Sequence, residues 1–377
     1  MTAAPEPRRV LIATISVGSP SGTEVYTRDL ALGLLRRGWL PIVYTTNPGR
    51  AGDALREAMI PVVTDLESIT AAPDLIHGQH HVETLAALAR FPGVPAIFVC
   101  HDAYTWHSIP PRSRRIRTIV AVDRNCRDRM IFEHGVAEDR IRLLMNPVDL
   151  GRFARRAPLP PKPRRALIFS NAAAEATFAG VVREACAERG IEVDVAGLRS
   201  GNVIAPEEVL GRYDLVFAKG RSALEAAATG CAVVVCDTRG LGGMISSARR
   251  ESLRQLNFGS RTLLGALTRE SVLREIDAYD ANDAAQVSDA LRASNDLELV
   301  LDQYAELYDD VLREPVQLDP AEDLRDIGAS LGAVIPHLYR QRPWLRLPAR
   351  MTTAILQSKP LAWPARLAMR IRKRIGV

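Results

Sequence analysis

Lys219, Arg221, Ser222 and Glu225 crowd the junction between a short apolar run and an alanine-rich segment. Cations in such a loop hold an anion, and a carboxylate one turn into the following helix can accept hydrogen bonds from two neighbouring hydroxyls. Farther on, Arg239 precedes Gly240, Gly242 and Gly243, whose missing side chains let backbone come close to a ligand. Gly22 does the same ahead of another predicted helix, where unpaired N–H groups and the helix dipole favour negative charge. His101 and Asp102 close a strand-like run, and Asn146 opens an Asn-Pro pair. Together these groups suit a phosphorylated ligand, held without a metal because fixed donors do the work of a cation.

Each has a plainer role. Glu225 is also an acid near a helix start, where it favours the dipole, and His101 is also a hydrogen-bonded buried imidazole. Asn-Pro starts turns, and glycines punctuate loops. Ser21 and Glu24 have the spacing of a capping box, so Glu24 is expected to cap its helix. His77, His80 and His81 lack carboxylate or cysteine companions at metal-ligand spacing and are expected to be structural.

The elements that must position these residues alternate from Arg9 onward, short β-branched runs with longer amphipathic segments, as in a parallel sheet covered by helices. Strands are predicted at 10–15, 41–45, 75–78, 96–100, 116–122 and 141–145. Helices are predicted at 23–37, 82–90 and 124–134, the first with Tyr26, Leu30, Ala31 and Leu34 on one face. The proline-rich segment 155–165 reads as a linker. The pattern then restarts, with strands at 166–170, 192–196, 214–218 and 232–237, and helices at 177–189, 222–229, 269–278, 283–292 and 297–312. The expected division is therefore a Rossmann-like unit over 1–154, a linker over 155–165, a second such unit over 166–315, and a basic helical tail over 316–377. The fold class is α/β.

Tandem Rossmann-like units serve several chemistries, so motifs must decide. The segment from Ser21 to Gly38 resembles the opening of family 4 glycosyltransferases. Asp74-Leu-Ile-His77, Val99-Cys-His-Asp102 and Asn146-Pro-Val-Asp149 follow in the order and spacing of that family's later motifs. The stretch Asp214–Asp237 is similar to the donor site of GT-B enzymes, with Glu225 where that pattern has its ribose-binding acid. Phe217 stands where the family has a second acid, and Ser170 to Thr177 contain no Arg or Lys for its diphosphate clamp. Lys219, Arg221 or Arg239 are expected to replace that clamp.

The resemblance implies a GT-B fold with two units facing a cleft. It implies transfer of a sugar from a nucleotide-sugar donor, a substrate rather than a cofactor, to a glycan or lipid-linked acceptor hydroxyl. His101 and Asp102 would act at the transferred sugar. Gly22, Asn146, Lys219, Arg221, Ser222, Glu225, Arg239, Gly240 and Gly242 would bind substrate. A nucleotide-sugar epimerase and a non-catalytic sugar-nucleotide binding protein share this architecture and are the rival expectations.

The 377 residues are 47% hydrophobic and 25% charged, which excludes a disordered or collagen-like chain. The net charge of +5 is uneven. From Ile327 to Val377 there are ten Lys and Arg and no Asp or Glu, so the preceding part is acidic overall. Within that tail, Leu367, Ala368, Ile371 and Ile375 share one face of a predicted helix opposite arginines, with Trp344 and Trp363 nearby. This pattern fits an anionic membrane surface. Nucleic acid fits less well, because the tail lacks interleaved aromatics and the body is acidic. Five cysteines without a CxxC pair, no signal-peptide pattern and no apolar stretch of membrane-spanning length lead to the expectation of a cytoplasmic protein, peripheral at the inner face of the membrane.

Overall fold

A computed structural model describes residues 7–18, 22–173, 175–197, 200–201, 205–313 and 319–340. Its first part runs β1 (Arg9–Ala13), α1 (Gly22–Arg36), β2 (Leu40–Tyr44), α2 (Gly49–Glu57), β3 (Val62–Val63), β4 (Leu75–Gly78), α3 (His81–Arg90), β5 (Ala96–Cys100), β6 (Ile116–Ala121), α4 (Arg124–Phe132) and β7 (Ile141–Leu143). The second part runs β8 (Arg165–Phe169), α5 (Gly180–Glu188), β9 (Glu192–Ala196), α6 (Pro206–Val209), β10 (Leu215–Ala218), α7 (Arg221–Thr229), β11 (Ala232–Asp237), β12 (Gly240–Met244), α8 (Arg250–Gln255), α9 (Arg269–Asp277) and α10 (Ala281–Ser294). The chain continues into α11 (Leu297–Arg313) and α12 (Pro320–Arg340).

The first seven strands form a parallel sheet in the order β3-β2-β1-β4-β5-β6-β7. The other five form a second sheet, β12-β11-β10-β8-β9, parallel except for β12. The central strands β1, β4, β5 and β10 are buried on both faces, which is why their sequences are continuous apolar runs and not alternating ones. In each sheet the strand order reverses at one point, between β1 and β4 and between β8 and β10. Ligands of open α/β sheets bind beyond the strand ends at such crevices.

Two elements escape the sequence patterns. β12 reads as a glycine-rich phosphate loop, but it is a buried antiparallel strand. Gly240 has φ +145°, and a Cβ there would lie 2.6 Å from the carbonyl oxygen of Gly265; one on Gly242 would meet Thr262 at 3.1 Å. These glycines therefore admit the neighbouring 262–265 segment, and the expectation that Gly240 and Gly242 approach a phosphate is corrected.

The second element is α11. Chain order suggests that it finishes the second unit, yet Leu297, Val300, Leu301, Tyr304, Leu307, Tyr308 and Val311 join the core of the first. Gly33 on α1 makes the crossing close, since a Cβ there would fall 2.2 Å from Leu301. Arg37 clamps the outside, donating to Asp302 and Glu298 at 2.8 Å each.

α12 also returns to the first unit, through Arg115 at the start of β6. This fully buried guanidinium donates to Asp323 at 2.8 Å and to the carbonyls of Phe91 at 2.7 Å and Leu88 at 2.6 Å. A buried charge needs such a complete set of partners, and removing one leaves the others unpaired. Arg115→Met is expected to destabilise the protein by about 3–5 kcal/mol, the usual cost of breaking a buried pair; urea unfolding measures it. Most of the 316–377 tail lies outside the described residues, while Pro320–Arg340 is helical.

Candidate functional site

His80, Thr14 and Ile15 meet at the first crevice. The imidazole Nδ1 of His80 accepts from the backbone N–H of Ile15 at 3.1 Å and lies 3.2 Å from the Thr14 hydroxyl. Glu24, in the first turn of α1, accepts from the Ser16 hydroxyl at 2.5 Å and the Gly18 N–H at 3.2 Å, tying the loop after β1 to the helix start. The Ser21 half of the expected capping box lies outside the described residues. Gly22 is exposed at the first position of α1, with nothing within 4 Å of its missing Cβ.

His101 follows β5. Its ring meets Tyr26 edge-on at 4.9 Å and lies 6.4 Å from His80. Its buried Nε2 has no hydrogen-bond partner among the described residues. Burial, with His77 adding repulsion, brings its pKa down to about 3, so it is a neutral imidazole. Asp102 takes a different part. One carboxylate oxygen accepts from the N–H groups of Tyr104 and Thr105, both at 2.7 Å; the other accepts from the hydroxyls of Thr105 at 2.6 Å and Ser108 at 2.7 Å. Burial alone would raise its pKa, but these donors bring it down to about 2. Asp102 thus folds the 102–108 loop next to His101, and its four acceptor bonds are used in doing so.

The second crevice carries the other cluster. Gly220, at φ +62°, turns the chain after β10 into α7. Arg221 then donates from Nε to Glu225 at 2.7 Å and from Nη2 across to Asp29 on α1 at 2.8 Å. Asp29 also takes Arg28 at 2.7 Å and lies 3.6 Å from Arg152, whose other partner is Glu207 at 2.6 Å. Burial opposes charge on Arg221, yet Glu225 and Asp29 hold its pKa above the ordinary value. Burial also dominates at Glu225, raising its pKa despite Arg221. Arg221 is thus a bridge between two carboxylates of two units, and it does not stand ready as a diphosphate clamp.

Lys219 pairs with Asp237 at the end of β11. Burial would raise the Asp237 pKa, but Lys219 brings it below normal. Arg239 is exposed and lies 4.9 Å over the ring of Tyr104, in the loop built by Asp102. Ser222 is half-buried in the first turn of α7. Asn146 is in the connection between units, where its carbonyl accepts from Arg254 at 2.7 Å. Phe217 is fully buried in β10. His77, expected to be structural, is buried with Nδ1 2.6 Å from the Tyr308 hydroxyl.

α1 connects the two clusters. Tyr26 touches His101, and Asp29, nearly one turn later, receives Arg221 beside Glu225. Asp29 lies within the Ser21–Gly38 segment but is not among the candidate site residues. Its signal was an acid three residues after Tyr26 and adjacent to Leu30, on the apolar side of an amphipathic helix.

Two Rossmann-like units in contact, with ligand-type residues after β5 and β10, define a glycosyltransferase-like GT-B fold. Residues 20–152 match the sequence profile described as Glycosyltransferase Family 4. Among solved structures, a glycosyltransferase from Rickettsia africae is similar over 82% of this chain and 99% of its own, with TM-score 0.60 and 14% identity. Anabaena HepE, solved in complex with UDP-glucose, matches over 80% of this chain and 99% of its own, with TM-score 0.57 and 15% identity. A putative UDP-N-acetylglucosamine 2-epimerase from Listeria monocytogenes matches over 79% and 95%, with TM-score 0.52 and 15% identity. No curated protein matches the sequence.

Proposed function

We propose that the protein transfers a hexosyl group from a nucleotide-sugar donor to an acceptor hydroxyl without a metal ion, in glycan or glycolipid synthesis. The observation that supports this reading is the Glu225–Arg221–Asp29 bridge, which ties Glu225 of the second unit to the helix that touches His101. In this reading residues 1–154 face the acceptor and residues 166–315 hold the donor. The acceptor is a glycan or a lipid-linked sugar. The protein works at the cytoplasmic face of a membrane, reached through the basic tail.

The residues divide the work by charge. Lys219 and Arg239 face the diphosphate, aided by the N–H groups at Gly22 and Ser222, where helix starts favour anions. Glu225 accepts from the ribose hydroxyls with the carboxylate that Arg221 orients. Asn146 borders the donor between the units. Neutral His101 donates a hydrogen bond from Nε2 to the sugar or its phosphate, and Asp102 fixes the loop that holds it. HepE was solved with UDP-glucose, which makes that compound the first donor to test.

Incubation with UDP-glucose and an envelope lipid extract is expected to release UDP only when acceptor is present. The Listeria neighbour supplies the rival, an epimerase, which would turn over donor without any acceptor. In the same assay His101→Ala is expected to lower kcat about 100-fold, the usual effect of removing one aimed donor. An unchanged kcat would remove His101 from the chemistry.

A further inference from the structure

His80 precedes α3, but its side chain does not cap that helix; it turns across to the end of β1. The Ile15 N–H can only donate, so Nδ1 of His80 is the nitrogen with the lone pair. Burial keeps the ring neutral, bringing its pKa down to about 3. A neutral imidazole has one N–H, and here that hydrogen is on Nε2.

His107 has the opposite arrangement. The Thr105 hydroxyl has a single hydrogen, which goes to the charged acceptor Asp102 at 2.6 Å. The lone pair of that hydroxyl is then what meets Nδ1 of His107 at 3.3 Å, so Nδ1 carries the hydrogen and Nε2 is free to accept. Burial, and Arg129 after it, lower the His107 pKa against the pull of Asp102, so this ring too is uncharged at neutral pH.

The two rings lie 5.2 Å apart. Neither Nε2 has a hydrogen-bond partner among the described residues, and neither is sealed from solvent as the Nε2 of His101 is. The crevice thus offers one fixed donor beside one fixed acceptor, and a hydroxyl is the group that satisfies both. The carboxylates bearing on His80, Asp102 and Glu24, repel an anion and favour a neutral polyol over a phosphate.

We infer that His80 and His107 are the residues that recognise the acceptor hydroxyl, His80 donating to its oxygen from Nε2 and His107 accepting its hydrogen at Nε2. The inference rests on the transferase reading and names the acceptor group of that site, a sugar hydroxyl without a neighbouring phosphate. It also gives the Asp102–Thr105 pair a second purpose, because that pair holds the His107 tautomer.

Two measurements on the full-length protein test it. Long-range nitrogen-15 spectra of histidine-labelled protein, assigned with His80→Gln and His107→Gln, are expected to show the hydrogen on Nε2 of His80 and on Nδ1 of His107. In the UDP-release assay with UDP-glucose and envelope lipid extract, His80→Phe and His107→Phe are each expected to raise the half-saturating amount of extract about tenfold or more, as expected when a hydrogen-bond partner is removed. Their affinity for UDP-glucose in calorimetry is expected to stay at the wild-type value. His107→Gln, whose side-chain oxygen can accept, is expected to recover most of the loss. A wild type that releases no UDP with extract fails as a transferase, and the inference falls with that reading. An active wild type whose extract dependence is unchanged in His107→Phe, or whose His107 carries its hydrogen on Nε2, overturns this inference alone.

Discussion

Lowering the pH from 7 to 5.5 is expected to remove roughly 4 kcal/mol of stability, through three histidines of the first unit. Burial brings His77, His80 and His101 to about 3, against 6.5 for a free imidazole. The sign follows from which state binds the proton. Below pH 6.5 the unfolded chain protonates these rings while the folded one keeps them neutral, so their contribution is whole above 6.5 and falls steadily towards pH 3. Each ring accounts for about 1.3 kcal/mol of the drop. Urea unfolding followed across pH 5 to 8 measures the slope. His77→Gln is expected to flatten it by about one third, and an unchanged slope would show that His77 is accessible to protons in the fold.

Arg221→Met carries the second large effect. Without the guanidinium, buried Glu225 loses the hydrogen bond that offsets its desolvation and faces Asp29, which keeps Arg28 and Arg152, so a loss of about 3–5 kcal/mol is expected. Neutralising the partners as well, in Arg221→Met with Asp29→Asn and Glu225→Gln, is expected to restore most of that loss. The triple variant separates the cost of uncompensated charge from the loss of packing by the arginine stem. If the single variant melts like the wild type, Arg221 does not bridge the two units in solution.

Most strands were legible because a central parallel strand is buried on both faces and must be apolar throughout. The bounds of β4, β5 and β11 coincide with the expected ones, and so do those of β9, an edge strand that is legible instead by its alternation of Val193 and Val195 with Glu192 and Asp194. β12 was not legible, because Gly-Leu-Gly-Gly carries no strand propensity and what selects it is the close approach of residues 262–265. α11 showed its apolar face in the sequence, but periodicity does not say which core that face will join. The site divides in the same way. His101 and Glu225 were marked by their places after strands and by resemblance. The partnership of Arg221 with Asp29 connects residues 192 apart, and only the folded units bring them together.

Transfer requires a nucleotide sugar lodged beside Glu225 between the two units. Titration calorimetry of UDP-glucose and related nucleoside diphosphate sugars against the wild type and Glu225→Gln tests this most directly. One donor should saturate a single site, and Glu225→Gln should weaken it at least tenfold while leaving the fold intact. Equal affinity in the variant, or no binding of any such sugar by the wild type, would contradict the account.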